Sequence, residues 1–268
     1  EILIGLVGSE MCIRDRYLAT YGTNSSYNYL INGSKPVIVK APGLVAPDFT
    51  WETVTQMDFG FDASFLNNRL TGTFDWYRRN TKDMLTLGEV LPGVLGANLP
   101  KENSADLKTT GFDLTVSWRD QIKLAGKPLE YSLEFNLSDS KSEITKFSNP
   151  TGTLNSYYKG QKIGEIWGYR ADDLFLSNRE IDDYLSNVNL TAFKSNDLWR
   201  RGDLKYIDSN GDGRVDGGKG TLADHGDLQI IGNTTPKYSF GINLNLGYKG
   251  FEVSTLLQGV ATVSYTHL

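Results

Sequence analysis

Strict alternation of apolar and polar residues marks residues 237–250, which read KYSFGINLNLGYKG. The apolar side chains take the even-numbered positions Tyr238, Phe240, Ile242, Leu244, Leu246 and Tyr248. Because successive side chains of a strand point to opposite faces, the pattern predicts a β-strand with one apolar and one polar face. The apolar face would cover the core of a soluble sheet, whereas it would face lipid in a membrane barrel.

Five further segments share this period of two: residues 56–65, 70–77, 111–118, 131–138 and 251–258. They are rich in aromatic residues and bounded by Gly, Asn and Asp, which is typical of strands, so the chain is predicted to be all-β with about six strands. Their polar faces carry the acidic residues Asp58, Asp62, Asp75, Asp113 and Glu134. A wet barrel interior and the solvent face of a β-sandwich both accept such charges, and alternation alone favours the commoner sandwich.

The connections between these segments favour the barrel. Short turns at 66–69, 119–130 and 249–250 alternate with long loops at about 79–110 and 141–236. Compact soluble domains rarely carry repeated loops of that length. Outer-membrane barrels combine short turns on one side with long loops on the other. The alternation of short turns and long loops therefore makes the barrel as well supported as the sandwich.

Composition narrows the functional classes. The chain has 268 residues, a net charge of −5 and a single cysteine, Cys12. The acidic balance argues against a nucleic-acid binder, and one cysteine rules out an internal disulfide. No Ser/His/Asp spacing, phosphate-binding glycine loop or HExxH motif occurs, so we expect no enzyme. The segments 1–16 and 263–268 match no pattern in the rest of the chain. We expect them to be non-native tails on a fragment of a longer protein, with 17–262 as its barrel part.

The sharpest local motif is DSNGDGRVD at residues 208–216. Asp208, Asn210 and Asp212 take positions one, three and five of an EF-hand-like loop, with Gly213 at six, the Arg214 carbonyl at seven and Asp216 at nine. Hard oxygen ligands at alternate positions suit Ca²⁺. Position twelve is Lys219 instead of the bidentate Glu. The alternative is an Asn/Gly/Asp-rich turn without a metal.

Aromatic residues in the longest loop are candidates for substrate binding. We consider Tyr157, Tyr158 and Trp199, because exposed rings stack on sugar faces and loops of this kind carry recognition. The alternative is that these rings pack the loop into a small core of its own, as we expect for the strand-like Trp167. The pattern of residues 177–188 predicts a short helix that begins with a capping box of Ser177 and Glu180. The acidic residues of this helix are then expected to form its solvent-exposed face.

Four longer stretches resemble one family. Residues 51–85, 102–120, 201–216 and 228–259 are similar to the SusC/RagA branch of the TonB-dependent outer-membrane transporters of Bacteroidetes. The resemblance implies part of an antiparallel transmembrane β-barrel of about 22 strands closed around an N-terminal plug. It also implies import of oligosaccharides or peptides, driven by the TonB complex through a plug that this sequence lacks, with a SusD-like surface lipoprotein as partner. In this comparison Asp227 best matches the last carboxylate of the acidic loop, and Asp224 is second.

We therefore predict a partial transmembrane β-barrel in the cell outer membrane with long extracellular loops and a transport function. The alternative is a secreted, soluble β-sandwich that binds glycan, with calcium stabilising one loop. The two folds differ in what covers the apolar faces of the strands. They are uncovered on the outside of a barrel, whereas they pack beneath a second sheet in a sandwich.

Overall fold

The computed structural model describes residues 22–24, 30–31, 33–34, 38–40, 43–46, 49–87 and 100–262. The predicted tails 1–16 and 263–268 lie outside these residues. In chain order the strands are β1 Gly22–Asn24, β2 Ile38–Lys40, β3 Thr53–Phe65, β4 Leu70–Leu87, β5 Lys101–Leu124, β6 Lys127–Lys146, β7 Glu165–Gly168, β8 Ala171–Leu174, β9 Leu204–Tyr206, β10 Gln229–Asn233, β11 Lys237–Tyr248 and β12 Phe251–Thr262. The α-helix α1 Asn178–Leu185 and a short 3-10 helix Asn196–Leu198 lie between β8 and β9. All six predicted strands are thus present.

The six long strands form one sheet in the order β3-β4-β5-β6-β11-β12. The chain leaves this sheet after β6 and returns as β11, so residues 147–236 form a single long insertion, here called the excursion. β11 pairs antiparallel with both β6 and β12. The short strands form three separate two-stranded pairs, β1 with β2, β7 with β10, and β8 with β9.

Two connections are tighter than the sequence predicted. The loop expected at about 79–110 is shorter, because β4 continues to Leu87 and β5 starts at Lys101. The turn expected at 119–130 reduces to Ala125 and Gly126, both with positive φ. Lys249 and Gly250 also have positive φ, at 51° and 83°. Both pairs therefore form two-residue turns with positive φ at each residue, the type of turn that matches the twist of the two strands in an antiparallel hairpin.

The register places the apolar residues of neighbouring strands on one face. Phe240 lies opposite Leu137 and Gly259, Ile242 opposite Phe135 and Leu257, and Leu244 opposite Leu133 and Thr255. Rings of the next strands continue the row, with centroids 5.8 Å apart for Phe61–Phe74 and 6.3 Å for Phe74–Phe112. The other face is largely polar: Asn245, for example, lies opposite Ser132 and Ser254.

The buried core of the described residues lies mostly in the excursion. Phe175, Ile181, Leu190, Trp199 and Val215 are buried together there. The predicted helix is confirmed as α1, and the Ser177 hydroxyl accepts a hydrogen bond from the Glu180 N–H at 3.2 Å. The Glu180 carboxylate accepts from the Leu176 N–H instead of that of Ser177, so the capping box is shifted by one residue. Within the described part of the chain, no helix has the length and apolar character needed to cross a membrane.

Candidate functional site

The apolar face of the six-stranded sheet is uncovered. Phe59 is 66% exposed and Leu244 is 37% exposed, and Leu133 is exposed as well. Among the described residues no second sheet packs over this face. A soluble sandwich would have buried these side chains, since its two inner faces interdigitate. The uncovered face is what the barrel prediction requires.

Polar groups limit the apolar face at both ends. Alternation along β5 and β6 places Lys108 and Glu143 on the apolar face, where their charges pair at 3.1 Å. Towards the tight turns, the Trp118 indole N–H donates to the Tyr131 hydroxyl at 3.4 Å. On β11 the apolar positions in extended backbone run from Phe240 to Tyr248, since Tyr238 has a positive φ of 57°. Those eight steps of about 3.4 Å give roughly 27 Å along the strand, or about 20 Å at a tilt near 40°.

The polar face is bridged by hydrogen bonds between side chains. The Thr115 hydroxyl donates to the Asn136 amide oxygen at 2.9 Å, and the Ser254 hydroxyl donates to the Asn245 amide oxygen at 2.7 Å. The Asn245 amide N–H₂ in turn donates to the Ser132 hydroxyl at 3.2 Å. Glu134 lies on this face opposite Asn243. A wall of this kind suits a wet interior.

The acidic loop 208–216 is organised around its own main-chain amides. The Asp208 carboxylate accepts from the N–H groups of Gly211 at 2.7 Å and Gly213 at 2.8 Å. Asn210 accepts from the Asp212 N–H at 2.9 Å, and Asp212 accepts from the Arg214 N–H at 2.8 Å. The loop is therefore a series of side-chain-to-backbone turns, which such residues form readily.

Asp227 closes this loop from a distance in sequence. Its side chain is fully buried, and one oxygen accepts from the N–H groups of Ser209 at 2.6 Å and Asn210 at 3.3 Å. The other oxygen accepts from the Asp216 N–H at 3.0 Å. The sequence had named Asp227 as a ligand candidate, and the structure places it at the acidic loop. Lys219, at position twelve, pairs instead with Asp224 at 3.8 Å.

No group of three or more His, Cys, Asp and Glu side chains among the described residues is arranged to hold a metal ion. The calcium site predicted from Asp208, Asn210, Asp212, the Arg214 carbonyl, Asp216 and Asp227 stays a prediction. The carboxylates of Asp208, Asp212 and Asp227 accept main-chain amide hydrogen bonds. These hydrogen bonds compensate part of the negative charge of the loop, which a bound cation was expected to compensate.

The candidate aromatic residues differ in exposure. Tyr157 is 54% exposed, whereas Tyr158 and Trp199 are only 8% and 4% exposed. The expectation that the rings are exposed is thus not met by Tyr158 and Trp199, which pack inside the excursion. Their role in substrate binding stays a prediction. Trp199 meets Phe175 edge-on with ring centroids 6.0 Å apart. Tyr157 stays a candidate.

Tyr158 belongs to a buried polar group that the sequence did not reveal. Its hydroxyl donates to Glu165, and the Trp167 indole N–H donates to the same carboxylate oxygen at 3.0 Å. Burial and the hydrogen bond to Glu165 raise the pKa of Tyr158 to about 12. His225 packs on Trp167 with ring centroids 5.5 Å apart. Sequence reasoning did not identify Glu165 as a member of this group, because no local pattern in IGEIWGY indicates that the Tyr158 hydroxyl bonds to it.

A family model described as TonB dependent receptor-like, beta-barrel, matches residues 14–266. The chain belongs to this family. Its members are outer-membrane barrels, so the antiparallel barrel fold is confirmed and the β-sandwich is wrong. The sheet does not close on itself within the described residues.

Individual relatives agree with the family. TonB-dependent receptor P3 of Formosa agariphila is 27% identical over 247 residues, which cover 84% of this chain and 23% of that protein. TonB-dependent receptor SusC of Bacteroides thetaiotaomicron is 23% identical, covering 90% of this chain and 22% of that protein. A solved structure of the RagAB peptide transporter matches with a TM-score of 0.56 at 22% identity, covering 91% of this chain and 24% of that one, and supports the fold. The chain thus spans about a quarter of the length of the receptors it matches.

Proposed function

We propose that this chain is part of the wall of an outer-membrane transporter that imports oligosaccharides or peptides without catalysing a reaction. The observation that carries the proposal is the uncovered apolar face, shared in register by β6, β11 and β12. Exposed apolar surface of this extent is costly in water, and hydrocarbon removes that cost. The height estimated along β11 at a tilt near 40°, about 20 Å, is slightly less than the apolar band of about 25 Å in outer-membrane barrels.

The connections give the proposed orientation. The two-residue turns at 125–126 and 249–250 lie at one end of the strands, and the excursion follows β6 at the other end. Outer-membrane barrels carry short turns on the periplasmic side and long loops outside. The excursion is therefore extracellular in this proposal, and the inner, polar face lines the barrel.

The proposed partners are a SusD-like surface lipoprotein and the TonB complex. The similarity to SusC and to the RagAB peptide transporter supports a two-component importer. Because RagAB is a peptide transporter, the same similarity supports peptides as one substrate class. Contact with TonB would be made by a part of the protein outside this sequence.

Uptake by cells tests this function. The full-length gene is placed in a strain that lacks its own copy, and uptake of labelled oligosaccharides and labelled peptides is measured with and without TonB. We expect one substrate class to enter only when TonB is present, and the lipoprotein to copurify with the barrel. Replacement of residues 149–236 by a short Gly-Ser turn should abolish uptake while the barrel still assembles. Failure of both substrate classes to enter, or entry that does not need TonB, contradicts the proposal.

Calcium binding at residues 208–216 stays a prediction that rests on the spacing of Asp208, Asn210 and Asp212. Titration calorimetry of the full-length protein, compared with the Asp212→Ala variant, tests it. The prediction holds if the parent binds Ca²⁺ and the variant binds it at least about tenfold more weakly. Binding that is absent in the parent, or equal in both proteins, leaves a turn stabilised by its own amides.

A further inference from the structure

The excursion supplies a hydrophobic core of its own. The buried cluster is packed by partly buried neighbours, namely Tyr169, Tyr184, Leu185, Val188, Phe193 and Tyr206. Every member of the cluster and every one of these neighbours lies between residues 169 and 215. The six strands of the large sheet therefore contribute none of the side chains of this core.

Aromatic contacts give this core a defined geometry. Phe193 stacks on Tyr206 with ring centroids 4.3 Å apart and planes 4° apart. Tyr169 meets Phe193 edge-on at 4.8 Å, and Tyr184 meets Phe175 edge-on at 5.6 Å. Stacked and edge-on pairs are favoured arrangements of aromatic rings. The excursion is thus packed like the interior of a domain and unlike a loose surface loop.

Main-chain hydrogen bonds close the excursion internally. β8 pairs with β9, with Leu174 opposite Leu204. The Asn189 N–H donates to the Gly213 carbonyl at 2.8 Å, and the Val215 N–H donates to the Asn189 carbonyl at 2.9 Å. Together with the bonds that Asp227 accepts, these contacts link the helical part of the excursion to the acidic loop.

The entry and exit chains of the excursion are joined at a neck, residues 163–168 and 229–235. Here β7 pairs with β10, and the Thr234 N–H donates to the Gly164 carbonyl at 2.7 Å. Gly164 has φ +83°, and a Cβ at this position would lie 2.5 Å from the Thr234 hydroxyl oxygen. A larger residue here would have to adopt a positive φ and displace the Thr234 hydroxyl, so glycine suits this close approach of the two chains.

Backbone bonds attach residues 160–163, at the entrance to the neck, to the end of β6. The Ile144 N–H donates to the Gln161 carbonyl at 2.9 Å, and the Gly160 N–H donates to the Ile144 carbonyl at 2.7 Å. The Ile163 N–H donates to the Ser142 carbonyl at 2.9 Å. Residues 160–163 of the excursion thus pair with the end of β6 around an isolated antiparallel bridge between Glu143 and Lys162.

We propose that the excursion is a self-contained folding unit, fixed through its neck to the end of β6, which opens and closes independently of the six-stranded sheet. Cooperative units in native proteins are contiguous regions whose buried contacts and hydrogen bonds lie mainly within the unit. A mobile flap would instead carry few buried apolar side chains and many solvent-exposed backbone bonds. This inference goes beyond transport, because it concerns how the excursion keeps its shape.

Hydrogen exchange followed by mass spectrometry on the full-length protein in detergent tests this. Leu190→Ala removes a fully buried side chain of the core. We expect amide exchange to become at least about tenfold faster across residues 164–234, while β5 and β6 change by less than about twofold. Leu176→Ala makes the same chemical change at an exposed leucine of the excursion and should leave both regions unchanged.

Two results would overturn the proposal. Faster exchange confined to the neighbours of Leu190 would show that the excursion has no cooperative unit. Faster exchange that spreads equally into β5 and β6 would show that the excursion and the sheet open together. If Leu190→Ala prevents assembly, Ile181→Val makes the same comparison with a smaller loss of volume, and the same two results decide.

Discussion

Asp227 shows how a single buried charge can organise a loop. A carboxylate taken out of water is costly unless donors surround it, and Asp227 receives three main-chain N–H groups, from Ser209, Asn210 and Asp216. Hydrogen bonds to a charged acceptor are stronger than neutral ones. One side chain thus holds both ends of the acidic loop, whose tip at Asn210, Gly211 and Asp212 is exposed.

Asp227→Ala should therefore destabilise the excursion by roughly 2–4 kcal/mol, because it removes the charged acceptor of three main-chain amides. Asp224→Ala, at a half-exposed carboxylate paired with Lys219, should cost less than about 1 kcal/mol. Thermal unfolding of the excursion, measured by tryptophan fluorescence in detergent, provides the comparison. Equal losses for the two variants would show that Asp227 does not hold the loop.

Tyr158 gives the excursion a dependence on alkaline pH. Burial and the hydrogen bond to Glu165 raise its pKa from 10.0 to about 12, so folding favours the neutral phenol. The stability from this shift is fully present below about pH 10 and is lost as the pH rises towards 12. The excursion should become less stable across this range in the parent, and the loss should be smaller in Tyr158→Phe. Unfolding measured at several alkaline pH values checks this, and parallel curves would contradict it.

Burial of single residues was the least predictable feature from sequence. Trp199 and Tyr158 were considered as exposed rings that stack on sugars. Instead, Trp199 packs on Phe175 and the Tyr158 hydroxyl bonds to Glu165. Both contacts depend on how the long excursion folds back on itself. Asp227, in contrast, was found through family resemblance, because its distance from the acidic loop hides it from local patterns.

At the level of single strands, Phe240 and Gly259 form a matched cross-strand pair. They lie directly opposite each other on β11 and β12, and a Cβ at Gly259 would lie 2.8 Å from the Phe240 Cζ. The ring thus covers the space that glycine leaves open. At Gly247, by comparison, the nearest atom to a Cβ would be the Glu130 Cβ at 4.0 Å.

Gly259→Ala should cost about 1–3 kcal/mol, since the Phe240 ring must move out of its position. Gly247→Ala should be neutral or slightly stabilising, because alanine has less conformational entropy to lose than glycine. Urea unfolding of the full-length protein from lipid vesicles measures both. A larger loss for Gly247→Ala than for Gly259→Ala would contradict the cross-strand pairing.

The strands themselves were predictable because their signal is local. Alternation identified all six and assigned their faces, as the register of β6, β11 and β12 confirms. Strand ends were not predictable in the same way. β4 continues through Arg78 to Leu87, where polar residues occupy both faces and alternation no longer distinguishes a strand from a loop. The extended part of β4 contacts the start of β5, as in the hydrogen bond between the Thr86 and Ser104 hydroxyls at 2.6 Å, and alternation within β4 does not show this pairing.

At the scale of the whole molecule, three observations agree. One antiparallel sheet has an uncovered apolar face, the family match covers residues 14–266, and the relatives are TonB-dependent receptors. Periodicity alone favoured the sandwich, the alternation of short turns and long loops made the two folds equally favoured, and the phrases shared with SusC-like transporters favoured the barrel. Substrate choice could not be predicted in this way, because it depends on the whole transporter, and this chain spans only about a quarter of the length of the relatives it matches.

The central claim is that the face bearing Leu244 contacts lipid and the face bearing Asn243 does not. These neighbours on β11 point to opposite faces, and Leu244 lies midway between Phe240 and Tyr248. The direct test is the free energy of folding of the full-length protein into lipid bilayers, for Leu244→Arg and for Asn243→Arg. The account predicts a cost of about 2–4 kcal/mol for Leu244→Arg and a much smaller cost for Asn243→Arg. Equal costs, or a larger cost for Asn243→Arg, would contradict it.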